Sequence, residues 1–311
     1  MATTRIVLIT TGGTVAAQST PDGAVPALSA RDLLPDGPVA EISTVDLMSV
    51  DSSAMTVADQ FAVVRAIRAA LSDPVVDGVV VTHGTDTLEE TAYLADLFHG
   101  DDRPVVFTGA QRPSDAIDSD GPANIATAFA AVSDPTVRGR GVVIAFGGEI
   151  LSARGLFKSS TTELIAFDNI HHALPRQHVG DDVPTAARVR VDALQLYPGV
   201  SPGLIAAAVS QQASGIVLST TGAGNTHPDI TAEISAAVTA GVVVVVTSRV
   251  PSGAVIPTYG GGGGAVDLER AGAVVSRWLR APQARIATLA LLSTGADTDA
   301  VRAFFAETAL G

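Results

Sequence analysis

Four segments of the chain carry side chains able to do chemistry, and each stands at the end of an apolar run. Thr10-Thr11-Gly12-Gly13-Thr14 closes the run that begins at Ile6, and Thr82-His83-Gly84-Thr85-Asp86-Thr87 follows Val75 to Val81. Thr108-Gly109-Ala110-Gln111-Arg112 follows the run from Pro104, and a loop beyond Phe146 reaches Lys158 in "RGLFKSSTT". A neutral hydroxyl is a poor nucleophile until an adjacent base withdraws its proton. Lys158 is the only lysine in the chain, and lysine, unlike arginine, can be deprotonated on burial. Gathered in one cleft, Thr85, Asp86 and Lys158 could form a hydroxyl, carboxylate and base set. With Thr14 across the cleft and backbone N–H groups of the glycine turns facing a developing oxyanion, such a site suits acyl transfer from an amide or ester. That chemistry requires no metal and no organic cofactor.

Taken singly, each segment also has a structural reading. Gly12 and Gly13 permit a tight turn whose hydroxyls satisfy backbone amides. A nucleotide-binding loop is a further reading of "TTGGT", but the segment lacks both the G-x-G-x-x-G spacing and the GK[ST] ending, so dinucleotide or ATP binding has little direct support. Asp86 and Thr87 are preferred helix-cap types, and Lys158 could be a solvated surface charge. His83 has no second ligand at metal-binding spacing.

The elements that must position these residues are legible in outline. Val- and Ile-rich runs at Ile6 to Thr10, Val75 to Thr82, Pro104 to Thr108 and Gly141 to Phe146 predict strands of a parallel sheet covered on both faces, all but the last followed by helical spacing. Thr87 with Glu90 predicts a capping box opening a helix with a Leu88, Ala92, Ala95 stripe, and Pro122 after Asp120 and Gly121 suits a first helical turn. Between about His171 and Arg190 the periodicity is lost, which predicts a linker. Strand, helix and strand then recur at Gly215 to Thr220, 227–241 and Val242 to Thr247, with a last helix near Asp297 to Glu307. "YGGGGGAVD" at 259–267 reads by default as a flexible surface loop. The expected division is a domain at 1–177, a linker at 178–190 and a smaller α/β domain at 191–311.

Composition narrows the function. The 311 residues are 47% apolar and 16% charged, without a run of 18 consecutive apolar residues, as expected of a water-soluble protein with well-buried sheets. A formal charge of −13 disfavours nucleic acid and anionic lipid as partners. The absence of cysteine removes thiolate chemistry and disulfides. "MATTRIVLIT" enters a strand pattern directly, without a secretory apolar region, so a cytoplasmic location is expected.

Together the segments resemble the bacterial-type L-asparaginase and glutaminase family. The matching pieces are "TTGGTVAA" at 10–17, "DSSAMT" at 51–56, "VTHGTDTLEETAYL" at 81–94, "FTGAQRP" at 107–113, "DGPANI" at 120–125, "FKSSTT" at 157–162, "TTGAGN" at 220–225 and "SRVPSG" at 248–253. "HGTDTLEETAY" is the most specific of them. The resemblance implies a flavodoxin-like α/β N-terminal domain, a smaller α/β C-terminal domain, and a homotetramer built from intimate dimers with each site at a contact between two subunits. It implies that Thr14 is the nucleophile on the side-chain carboxamide of L-asparagine, with Thr85, Asp86 and Lys158 as the second hydroxyl, carboxylate and base. Ser52, with Ser53 beside it, and Asp86, with Thr85, match the positions that hold the α-carboxylate and α-ammonium of the substrate. Asn225 matches a residue that the neighbouring subunit contributes.

Three departures from the family pattern accompany the match. No Tyr follows the nucleophile on the expected lid, since the first is Tyr93; Ser53 stands where many members have Gln; and the neighbour-subunit Glu has no assignable counterpart among Asp267 and Glu269. Two other readings share the scaffold. An amidotransferase subunit that releases ammonia from glutamine would carry an added N-terminal domain, whereas here the first strand begins by residue 6. An amino-acid-binding or sensor protein would keep Ser52 and Asp86 without needing Lys158.

Overall fold

Residues 4–21, 23–34, 40–172, 174–185 and 189–306 are described by the computed structural model. They fall into two compact units, Met1–Asn169 with Arg176–Thr185 and Ile170–Pro175 with Ala186–Gly311. Residues 173 and 186–188 of the expected linker and Glu307 of the expected last helix lie outside the described residues.

The first unit runs β1 (Arg5–Gly12), β2 (Ala17–Thr20), β3 (Gly23–Pro26), β4 (Glu41–Val50), α1 (Val57–Leu71), β5 (Gly78–Thr82), α2 (Leu88–Leu97), β6 (Val105–Thr108), α3 (Gly121–Ser133), β7 (Val142–Phe146), β8 (Glu149–Ser152), β9 (Leu156–Lys158) and β10 (Phe167–Asn169). Its six-stranded sheet has the order β4-β1-β5-β6-β7-β8, parallel except for β8. Setting aside the β2–β3 hairpin, the parallel strands stand in the sequence order 2-1-3-4-5 of flavodoxin-like sheets, and their direction of winding reverses between β1 and β5. β5, β6 and β7 are buried along their whole length, as is all of β1 after Arg5, which is why their sequences are continuous apolar runs. The second unit runs β11 (Val191–Gln195), α4 (Leu204–Ser210), β12 (Gly215–Thr220), α5 (Pro228–Thr239), β13 (Val243–Ser248), α6 (Ala265–Arg270), β14 (Val274–Val275), α7 (Ala281–Ser293) and α8 (Thr298–Phe305). Its four strands form a parallel sheet in the order β11-β12-β13-β14.

The structure corrects three sequence expectations and adds two helices that the sequence did not signal. No α-helix follows the first apolar run directly; a 3₁₀ turn at Thr14–Ala16, a hairpin and the strand β4 intervene before α1. Helices α1 and α7 fill segments to which no element was assigned. The glycine-rich stretch is not a loose surface loop but a packed turn into α6. A side chain at Gly263 would meet the Thr226 carbonyl at 2.1 Å, one at Gly264 would meet the Tyr259 carbonyl at 1.9 Å, and Asp267 accepts from the N–H groups of Gly262 and Gly264 at 2.7 and 3.1 Å. The Thr87 and Glu90 capping box is also absent. Thr87 occupies the cap position, but its hydroxyl donates to the Ser52 carbonyl at 2.9 Å.

Asn124, on the first turns of α3, ties the carboxyl ends of two strands together. Its Nδ2 donates to the Gly109 carbonyl just beyond β6 and to Asp120 Oδ2, both at 3.0 Å, while its Oδ1 accepts from the Gly147 N–H just beyond β7 at 3.0 Å. The side chain is buried, and its removal leaves the buried Gly109 carbonyl and the partly buried Gly147 N–H without this partner. Asn124→Ala is expected to destabilise the protein by about 2 to 3 kcal/mol, a fall of roughly 4 to 10 °C in Tm, measured by thermal unfolding under circular dichroism.

Candidate active site

The carboxyl ends of β4, β1, β5 and β6 lie side by side, so the loops that leave them gather at the crevice where open parallel sheets bind ligands. Asp51 and Ser52 follow β4, Gly13 and Thr14 follow β1, Gly84 to Asp86 follow β5, and Gly109 to Gln111 follow β6. A cleft of about 70 Å³ is lined by Gly13, Thr14, Ala17, Asp51, Ser52, Gly84, Thr85 and Asp86. Thr14, Thr85, Asp86 and Ser52, drawn from positions up to 72 residues apart, therefore share one concavity.

Two glycines make this gathering possible. Gly13 has φ +76°, and a side chain there would meet Gly84 Cα at 2.5 Å; a side chain on Gly84 would in turn meet Ser52 Oγ at 2.6 Å. The backbones after β1 and β5 are thus in direct contact, with the buried Ser52 packed against the second. Behind them His83 is fully buried, and burial pulls its ring down to about 4. The neutral ring donates from Nδ1 to the Gly84 carbonyl at 2.8 Å, an assignment that follows because a carbonyl can only accept. His83 thus has a structural part, holding the Gly84 turn from below.

Lys158 ends β9, whose pairing with β10 sets Phe167 opposite it. Its Nζ donates to Thr85 Oγ1 at 2.9 Å and to Asp86 Oδ1 at 2.7 Å. The Lys158 side chain is 18% exposed and that of Asp86 58%, so the ion pair opens to solvent on the carboxylate side. Thr85 Oγ1 donates onward to Gln111 Oε1 at 3.3 Å, while Gln111 Nε2 donates to the carbonyls of Ser160 and Glu163 at 3.3 and 3.1 Å. A second acid, Glu89, lies under the set. It is 9% exposed on the first turn of α2, and its Oε2 accepts from the Lys158 backbone N–H at 2.5 Å. Burial pushes its carboxyl up to about 7, with the Lys158 N–H and the nearby ammonium pulling the other way and Glu90 adding to the rise.

Thr14 is half-buried, and its hydroxyl has no hydrogen-bond partner among the described residues. The β2–β3 hairpin that follows it carries no tyrosine and is fastened to the loop beyond β6. Ser114 donates from its N–H and its hydroxyl to the Ala17 carbonyl at 2.9 and 2.7 Å, and Ser19 donates from both groups to the Asp115 carboxylate at 3.0 Å each. Ser53 is exposed, with its N–H and hydroxyl both turned to Asp51 Oδ1 at 2.9 Å, and is absent from the cleft lining. Asn225 belongs to the second unit, where its backbone bridges to Thr221 and its Oδ1 accepts from the Ala265 N–H at 3.4 Å. Asp51 and Glu89 were not singled out from the sequence. Asp51 carried a signal, since it opens "DSSAMT"; Glu89 carried none, because an acid in the first turn of a helix ordinarily serves the helix dipole.

Two family models match the chain in succession, "Asparaginase, N-terminal" over residues 5–188 and "Glutaminase/Asparaginase C-terminal domain" over residues 190–305. The probable L-asparaginase of Deinococcus radiodurans is 32% identical over an alignment of 326 residues, spanning 97% of this chain and 97% of that protein. The L-asparaginase of Bacillus licheniformis is 32% identical, spanning 93% of this chain and 96% of that protein. Among solved structures, the probable cytoplasmic L-asparaginase from Campylobacter jejuni is similar with a TM-score of 0.85 at 30% identity, covering 97% of this chain and 99% of that one.

The Glu89 carboxyl gives stability a pH dependence of definite sign. Its pKa rises from 4.5 to about 7, so the folded chain holds this proton more tightly than the unfolded one. The associated stabilisation is full below pH 4.5 and is lost as pH rises through 7. Glu89→Gln removes this dependence. Between pH 5 and 8 the wild type is expected to lose on the order of 2 to 3 kcal/mol relative to Glu89→Gln, read as converging or crossing Tm curves in paired thermal melts.

Proposed function

The chain belongs to the asparaginase family, and from that premise we propose that it hydrolyses L-asparagine to L-aspartate and ammonia through an acyl-enzyme on Thr14. Thr14 Oγ attacks the side-chain carboxamide carbon as its proton passes to the base set, and the carbonyl oxygen becomes the oxyanion. The backbone N–H groups of the glycine turns are the donors assigned to that oxyanion. Cleavage of the C–N bond, with a proton delivered to nitrogen, releases ammonia and leaves the β-carboxyl esterified to Thr14. Water then attacks the ester as the base set takes its proton, the C–O bond to Thr14 breaks, and the proton returns to Oγ as aspartate leaves.

The observation that carries this reading is the pair of contacts from Lys158 Nζ to Thr85 Oγ1 and Asp86 Oδ1, at 2.9 and 2.7 Å, beside a cleft that Thr14 also lines. A protein that only bound an amino acid would have no use for a partly buried lysine directed at a hydroxyl. Ser52 takes the α-carboxylate and Asp86 the α-ammonium of the substrate, charge-assisted contacts that reject amides without an amino-acid head. Ser53 has a lesser part, since both its donors are turned to Asp51. The same reading includes a homotetramer of intimate dimers in which Asn225 of the partner subunit completes the site, and a cytoplasmic location. No described helix is long and apolar enough to cross a membrane.

Ammonia release from L-asparagine tests the assignment. Thr14→Ala and Lys158→Met are each expected to lower kcat by at least about a thousandfold while leaving the circular dichroism spectrum and Tm near those of the wild type. Turnover retained in Thr14→Ala would overturn the nucleophile. L-glutamine and D-asparagine in the same assay define the preference, which for glutamine rests on one methylene, worth about 1 to 3 kcal/mol.

A further inference from the structure

Glu89 is a buried acid that the mechanism above does not use, and it lies one helical turn beyond two residues that the mechanism does use. α2 begins at Leu88, immediately after the loop that carries Thr85 and Asp86, so its first turn is rigidly continuous with them. Lys158 comes from a different part of the chain, at the end of β9, a strand of three residues paired on one side to an equally short β10. So short a pair offers little to fix where a lysine backbone sits. One contact that joins it to α2 at the level of the site is the 2.5 Å bond from the Lys158 N–H to Glu89 Oε2.

We infer that Glu89 is a positioning residue for the hydrolysis: by accepting the Lys158 backbone N–H from the first turn of α2, it holds the Lys158 ammonium in reach of Thr85 and Asp86. The inference rests on the proposed role of Lys158. An acceptor oxygen shielded from water makes a strong bond to an amide, and here the bond's two ends belong to the two segments whose relative position the chemistry requires. Two charged groups act on the Glu89 carboxyl in opposite senses: Glu90 beside it on α2 raises its pKa, and the Lys158 ammonium on β9 lowers it. Its position in the first helical turn suggests a different role, a negative charge favourable to the helix dipole. The two roles make opposite demands on the side chain. The dipole needs charge near the helix end, which Asp supplies as well as Glu. The Lys158 amide needs an acceptor at the full reach of the Glu side chain, which Gln supplies and Asp, one methylene shorter, does not.

Steady-state ammonia release by Glu89→Gln and Glu89→Asp of the full chain separates these roles, with thermal unfolding to establish that each variant is folded. Positioning predicts that Glu89→Gln keeps kcat within about threefold of the wild type, while Glu89→Asp loses at least tenfold in kcat with KM changed less than about threefold. Wild-type kcat in Glu89→Asp, or a loss in folded Glu89→Gln as large as in Glu89→Asp, overturns the inference. Should Glu89→Asp fail to fold, Glu89→Gln decides alone: near-wild-type kcat supports positioning by an acceptor, and a loss beyond tenfold overturns it. Failure of the underlying reading has a different signature, because Lys158→Met would then retain turnover whatever the Glu89 variants do.

Discussion

At the carboxyl end of the six-stranded sheet the loops leaving β1 and β5 touch backbone to backbone, and the geometry of the cleft depends on that approach. A side chain on Gly13 would meet Gly84 Cα at 2.5 Å, and one on Gly84 would meet Ser52 Oγ at 2.6 Å. Three neighbouring loops are therefore stacked with nothing larger than hydrogen between them. The stack brings the Thr14 hydroxyl, the buried Ser52 and the Thr85–Asp86 pair to one small cleft, though they come from strands that are consecutive in space and not in sequence. It is supported from behind, where the neutral His83 ring holds the Gly84 carbonyl and Asn124 joins the ends of β6 and β7.

What the sequence revealed and what it concealed divide along a physical line. Strands buried on both faces need no alternation, so β1, β5, β6 and β7 read directly as Val and Ile runs. β4 lies at the sheet edge with Glu41, Ser43, Val45, Asp46 and Ser49 exposed, and its mixed composition gives no such run. α7 is buried on eight of its 13 residues, which leaves too narrow a polar stripe for a helical period to show. Thr87 shows a local rule losing to a distant partner, since its hydroxyl leaves the helix end for a carbonyl 35 residues away. The glycine run at 260–264 misled for the opposite reason. Composition alone does not distinguish glycines that are free to move from glycines that are the only residues able to fit, and Gly263 and Gly264 are of the second kind.

The hairpin after Thr14 bears on how its hydroxyl is activated. Relatives with a lid tyrosine would bring a phenolic hydroxyl to the threonine, whereas the hairpin here presents Gln18, Ser19 and Thr20 on its first strand. Ser19 is committed to Asp115, and Thr20 donates to the Gly23 carbonyl at 2.5 Å. These hairpin hydroxyls thus serve to close the hairpin and to fasten it to the loop beyond β6. In the proposed mechanism, activation of Thr14 then falls to the Thr85 wall of the cleft, where Thr85 takes the contact from Lys158.

That wall is not explained by stability. An ion pair whose carboxylate is 58% exposed contributes between nothing and about 1 kcal/mol, so the Lys158–Asp86 contact does little for folding. Glu89 is a cost above neutral pH, because its carboxyl is more easily ionised in the unfolded chain than in the folded one. Eighteen of the 19 basic residues are arginine, and the one lysine has a flexible stem that reaches a hydroxyl and a carboxylate together; the base role proposed for it is one that a guanidinium could not fill. Groups that contribute so little to folding, yet stand within 3 Å of the one lysine ammonium, are better accounted for by the proposed hydrolysis than by stability.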